Sequence, residues 1–123
     1  MTRLPLVIAA FFALAPAAFA QAANDAAWEH VPSGADFARA YPVRARTQHV
    51  GGQVLLNCLI LRTQRLRCRV ASEDPRGMGF GAAALQLARE FRVAARSHDG
   101  RPTAGGHIGV PLNFTVQRRP STP

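Results

Sequence analysis

The sequence predicts an α+β domain: a small antiparallel three-stranded sheet, in the order helix–strand–strand–helix–strand, with its helices packed on one face. Three observations carry this. Residues 53–61 and 65–71 alternate in side-chain character around a short polar turn, the pattern of a half-buried hairpin. Phe80, Ala84, Leu87, Ala88 and Phe91 recur at helical spacing. A last run, 107–117, alternates again through Ile108, Val110, Leu112, Phe114 and Val116.

The chain has 123 residues, enough for one domain. Segment 1–20 reads as a secretory signal peptide. Arg3 supplies the positive start, residues 4–14 are almost purely apolar, Pro16 breaks the run, and Ala18-Phe19-Ala20 sets small residues at a peptidase site. The competing reading is a retained membrane anchor, since the apolar run lies at the lower length limit for crossing a bilayer. A cleaved signal would export the protein. Residues 21–32 form a polar, Ala-rich lead-in, with Trp28 as its anchor. The domain proper is expected over 33–117, and 118–123 is a polar tail.

Ser33 and Asp36 have capping-box spacing. The first helix should run through Phe37 and Ala40 and stop before Pro42, which disfavours helix in the residue before it. Pro42 can open a second short turn through Arg46. Gly51-Gly52 then punctuates the chain.

In the hairpin, Val54, Leu56, Cys58 and Ile60 share one face; Leu55, Asn57, Leu59 and Leu61 share the other. With Arg62, Thr63 and Gln64 as the loop, Ile60 faces Leu66, Cys58 faces Cys68 and Leu56 faces Val70. A slip of one residue would move Cys68 to the arginine face and break all three matches. Directly opposed cysteines suit a disulfide, which an exported protein with two cysteines favours.

Residues 72–81 read as a loop, with Pro75, Gly77 and Gly79. The helix comes next, over about 82–94. Asp99-Gly100-Arg101-Pro102 is a turn. Pro111 sits mid-run in the last strand, on the face opposite its apolar residues. It cannot donate to a ladder, so this strand belongs at an edge.

All fifteen basic residues are arginine, against seven acidic ones, for a formal charge of +8. They are spread along the chain with no aromatic residues interleaved, which argues against nucleic acid. They read either as a solvated surface or as weak attraction to an anionic envelope surface. No enzyme motif is present. His30, His49, His98 and His107 stand in loops or at element ends. Gly77-x-Gly79-x-Gly81 lacks the strand context and lysine of a phosphate loop. No metal set and no cofactor is expected.

The motifs in order resemble the TonB carboxy-terminal domain family. Tyr41-Pro42-Val43-Arg44-Ala45 is similar to its YPxxA entry, and Gly52-Gln53-Val54 to its GxV. Phe80 to Leu85, with Ala84 central and Ala88 and Phe91 beyond it, resembles its AAL helix. Asp99-Gly100-Arg101-Pro102 resembles its DGxP turn, and Val110-Pro111-Leu112-Asn113-Phe114 its VPxxF strand. The cysteine pair resembles a two-cysteine subgroup. The resemblance implies structural roles for Tyr41, Pro42, Ala45, Gly52, Phe80, Ala84, Leu85, Gly100 and Pro102. It also implies strand addition of a TonB-dependent transporter's periplasmic segment along Ile108, Gly109, Val110, Pro111, Leu112, Asn113, Phe114, Thr115 and Val116. A TonB energy transducer carries a membrane-held helix and a long Pro-rich linker; here 21–32 holds one proline, Pro32. The implied function is therefore a periplasmic protein-binding module linked to transmembrane transport. The alternatives are a membrane-retained minimal energy transducer and a structural homo-oligomeric protein, which would pair as a homodimer through the mixed face of Leu55, Leu59 and Leu61 with Arg67 and Arg69.

Overall fold

The computed structural model describes residues 27–116. The signal segment, most of the lead-in and the tail lie outside the described residues. The elements are β1 (Trp28–His30), α1 (Gly34–Ala40), α2 (Val43–Thr47), β2 (Gly52–Ile60), β3 (Leu66–Asp74), α3 (Phe80–Ala88), β4 (Arg92–Val93) and β5 (His107–Phe114). The expected α+β architecture is present: three antiparallel strands in the order β3-β2-β5, with the helices on the buried face.

Helix α1 starts where its capping box dictates. The Ser33 hydroxyl accepts the Asp36 N–H, and the Asp36 carboxylate accepts the Ser33 N–H at 2.8 Å. That last bond, with help from the Ser33 hydroxyl and Arg39, holds the Asp36 carboxyl below its ordinary value of 3.8. A depressed folded-state pKa means the cap's contribution is complete above that ordinary value. It is lost as pH falls through the lower, folded value. Urea midpoints measured down through this acid range should fall for the wild type. They should change less for Asp36→Asn, which cannot titrate.

The hairpin register matches the sequence expectation: Ile60↔Leu66, Cys58↔Cys68 and Leu56↔Val70. The sulfurs are bonded, with the Cα atoms 4.1 Å apart. Val54, Leu56, Cys58 and Ile60 point into the core with Ile108, Val110, Leu112 and Phe114. Helix α3 covers them with Phe80, Ala83, Ala84, Leu87 and Ala88.

Four details differ from the sequence reading. Strand β3 continues through Ser72, Glu73 and Asp74, which the sequence pattern places in a loop. A bulge makes this possible: Leu56 pairs with Val70 but Leu55 with Ser72, leaving Ala71 unpaired. The extra residue turns Glu73 inward, where its carboxylate accepts the Gly81 N–H at 2.8 Å, in the first turn of α3. A negative charge there favours the helix dipole.

Helix α3 begins at Phe80 and ends at Ala88, not near 94. Residues 89–91 tighten into three-residue turns, with Glu90 N–H on Leu87 C=O at 2.9 Å. Phe91 still reaches the core, so its place on the stripe is real although it lies past the helix. Residues 28–30 are part of the domain rather than a lead-in. As β1 they pair with β4, and the Trp28 ring packs tilted against Phe91 with ring centroids 5.1 Å apart. Strand β5 ends at Phe114, three residues before the expected limit at 117.

The connection between β4 and β5 has little regular structure. It is latched by the hairpin turn: the Gln64 amide nitrogen lies 3.0 Å from Val93 O, 2.9 Å from Ala94 O and 2.9 Å from Thr103 Oγ1. Gln64 takes φ of 69° to present it.

Candidate functional site

The candidate site is the outer edge of β5 with the groove at its end. Both arise from register. Residues opposed as closely as Cys58 and Cys68, with Cα atoms 4.1 Å apart, form a non-hydrogen-bonded pair. The Cys58 backbone groups therefore point the other way, to Ile108, its partner on β5. By alternation Val110 and Leu112 also bond inward to β2, while Gly109, Pro111 and Asn113 turn their backbone groups to the outer edge, which is exposed at Pro111 and Asn113 and buried at Gly109. Pro111, with no N–H, thus falls where the ladder loses nothing. Its side chain is exposed and its register with Leu55 is unbroken.

The sheet has two edges, and they are not equivalent. Strand β3 carries the bulge at Ala71 and exposed arginines at 67 and 69, features that blunt an edge against pairing. Strand β5 pairs with β2 over eight positions without a shift and carries no charged side chain between Ile108 and Val116. It is the edge left fit for another strand.

Beyond Leu112 the edge opens into a groove of about 740 Å³ between α1, α2 and the end of β5. Its apolar walls are Phe37, Tyr41, Val43, Phe114 and Val116. Val43 is 77% exposed and Val116 37% exposed. Arg39, Arg46 and His49 also line it. Arg39 pairs with Asp36, and Arg46 bonds Ala38 C=O and lies 5.9 Å from the centre of the Tyr41 ring. Burial pushes the Tyr41 hydroxyl up in pKa, with Arg46 opposing, and that hydroxyl donates to Val50 C=O at 2.5 Å.

An aromatic cluster fixes the groove floor. Phe114 meets Phe37 at 5.5 Å, Tyr41 at 5.8 Å and Phe80 at 5.2 Å between centroids. Gly52 lies under the Phe80 ring, where a Cβ would come within 2.5 Å of Cδ2. Only glycine fits there.

Of the residues singled out in sequence, Tyr41, Gly52, Phe80 and Phe114 converge on this cluster, and Ala45 and Ala84 are fully buried in the surrounding core. Pro42 caps α2 and sits against Gly79. Leu85 is 38% exposed and points away. Gly100, at φ of 83°, and Pro102, bridged to Arg96, lie at the opposite end of the sheet, in the connection tied to Ile60 and Gln64. Ile108, Val110 and Leu112 are core residues. Their side chains are unavailable to a partner, and Gly109 is buried with them; the exposed outward positions are Pro111 and Asn113. Thr115 and Val116 continue past the strand into the groove.

The sequence pattern does not single out Phe37, Val43 or Arg46 as groove residues. Only the valine inside the Tyr41–Ala45 motif hints at them. Among the described residues no three His, Cys, Asp or Glu side chains gather at metal-binding distance, and no helix is long and apolar enough to cross a membrane.

No protein-family model matches the chain. Over 64 residues it is 34% identical to an uncharacterized protein of Caulobacter vibrioides; the match spans 51% of this chain and 64% of that protein. Among solved structures, the TonB2 protein from Vibrio anguillarum is similar with a TM-score of 0.49 at 25% identity, over 63% of this chain and 74% of that one.

Proposed function

We propose that this chain is a periplasmic TonB-like protein-binding module, which takes an extended segment of a partner as a fourth strand on β5. The partner class is a TonB-dependent outer-membrane transporter, through its periplasmic segment, or a protein presenting a similar strand. The open, unshifted edge of β5 running into the groove is the observation that carries this reading. The ordered motifs from Tyr41 to Phe114 support the family assignment.

Strand addition takes affinity from backbone hydrogen bonds and choice from side-chain pockets. The exposed outward groups of Pro111 and Asn113 supply a few bonds, each worth about 0.5–1.5 kcal/mol net, against a larger cost of association. Contact is therefore reversible, in the micromolar range or weaker. The groove can add one apolar side chain of the partner.

Titrating the labelled protein with transporter-derived peptides should shift the exposed Asn113 amide first. Asn113→Pro removes an outward N–H that bonds nothing within the domain. It should leave the thermal midpoint nearly unchanged and weaken peptide binding by about 1–3 kcal/mol, since a buried carbonyl of the partner loses its donor. Calorimetric titration reads this directly. Unchanged affinity would remove β5 as the docking edge.

A further inference from the structure

The side of the sheet turned away from the helices gathers arginines that are scattered in sequence. Arg67 lies opposite Leu59 and Arg69 opposite Asn57. Arg65 is joined to Leu61 through the Leu61 N–H, and Arg62 stands in the adjoining turn. All four are exposed, and none takes part in the ion pairs formed among the described residues. Alternate residues on a strand repeat at about 6.6–6.8 Å, so Arg67 and Arg69 form a pair of like charges without internal compensation, while the Arg65 guanidinium, just before the strand, donates to the Arg89 C=O at 2.9 Å.

Beside this pair runs an apolar row. Leu55 is 39% exposed, and Leu59 and Leu61 are partly exposed on the same face, with Pro111 next to Leu55. The helices lie on the other side of the sheet. A shallow notch of about 360 Å³ opens beside Leu59, Leu61, Arg62 and Ala104.

We infer that this face docks on an anionic lipid bilayer. Arginine binds phosphate oxygens through its planar fork, and its stem lies along apolar surface while its head stays at the phosphates. The leucine row and the notch would meet the boundary between headgroups and acyl chains. A polyanionic polymer or nucleic acid would find the charges but no stacking surface. The aromatic rings at 28, 37, 41, 80, 91 and 114 pack among themselves in the core and groove instead. Docking in this way leaves the β5 edge free at the side.

The test is co-sedimentation of the full chain with vesicles of phosphatidylcholine, alone and with about one third phosphatidylglycerol. Zwitterionic vesicles report whatever the apolar residues 4–14 contribute, and this baseline is common to every variant. Added anionic lipid should raise binding, and raising salt from about 0.1 M to about 1 M should reverse the gain. At about one charge's worth of attraction per arginine, Arg67→Gln should lower the anionic component roughly fivefold, and Arg67→Gln with Arg69→Gln roughly 25-fold. Arg44→Gln, an equal charge change on α2, should leave it unchanged. Leu55→Ser with Leu59→Ser should lower it at constant charge.

Equal losses from Arg44→Gln and Arg67→Gln would reduce the effect to net charge and overturn the inference. So would a leucine pair without effect combined with equally tight binding of duplex DNA, which would assign the face to polyanions. A salt-resistant dimer that buries Leu55 would also overturn it.

Discussion

Phe80→Ala should lower the stability of the domain by about 3–5 kcal/mol, the range for removing a fully buried phenylalanine. Phe80 is 0% exposed. It touches three other parts of the chain at once: Tyr41 at 5.8 Å, Phe114 at 5.2 Å, and the Gly52 backbone beneath its ring. Relaxation cannot close the cavity cheaply, because Gly52 has no side chain to move in and Tyr41 is held by Val50. The loss is a large fraction of the roughly 5–15 kcal/mol a domain possesses. Urea or thermal denaturation followed by circular dichroism measures it; a loss under about 1 kcal/mol would mean the aromatic cluster is not the centre of the core. Peptide binding should weaken as well, since Tyr41 and Phe114 form the groove walls and lean on this ring.

The second large effect is loss of the Cys58–Cys68 bond. The bridge closes a loop with a sequence separation of 10 residues, for which chain entropy gives about 2.5–3 kcal/mol. Replacing both cysteines with alanine should cost that amount. A further contribution comes from the packing lost at Cys58, which is 1% exposed among Leu56, Ile60 and Ile108. The urea midpoint of the oxidised wild type, set against that of the double variant and of the reduced protein, separates the two contributions. Equal midpoints for oxidised and reduced protein would show that the bond constrains nothing the strands do not already fix. The reduced protein should still fold: the Ile60↔Leu66 and Leu56↔Val70 pairs on either side of the cysteines set the same register through apolar contact.

That redundancy explains why the hairpin is legible in sequence. Three facing pairs, one of them the two cysteines, agree on one register around one polar turn, and a slipped register satisfies none of them. The edge position of β5 is legible for a comparable reason, since Pro111 excludes a central strand. The bulge at Ala71 is not, because an added residue changes no side-chain type. It only reverses the phase of the residues after it, so Ser72, Glu73 and Asp74 read as a turn. The end of α3 is hidden by Phe91, which keeps its place on the helical stripe through a tightened turn. Pairing of Trp28–His30 with Arg92–Val93 joins segments of three and two residues, too short for any periodicity to declare itself. The groove is least legible of all. It exists only because α1 and α2 come beside the end of β5, and that juxtaposition depends on Phe37, Tyr41 and Phe114 meeting across long stretches of chain.

The single amide of Gln64 has a consequence for how the molecule breathes. It holds Val93, Ala94 and Thr103 from the tip of the hairpin, and the Gln64 carbonyl accepts the Val93 N–H at 3.0 Å. The segment before β5 therefore cannot swing out on its own. Releasing it means unlatching the hairpin tip, so the two regions share one opening event and a protease meets them as a single closed unit.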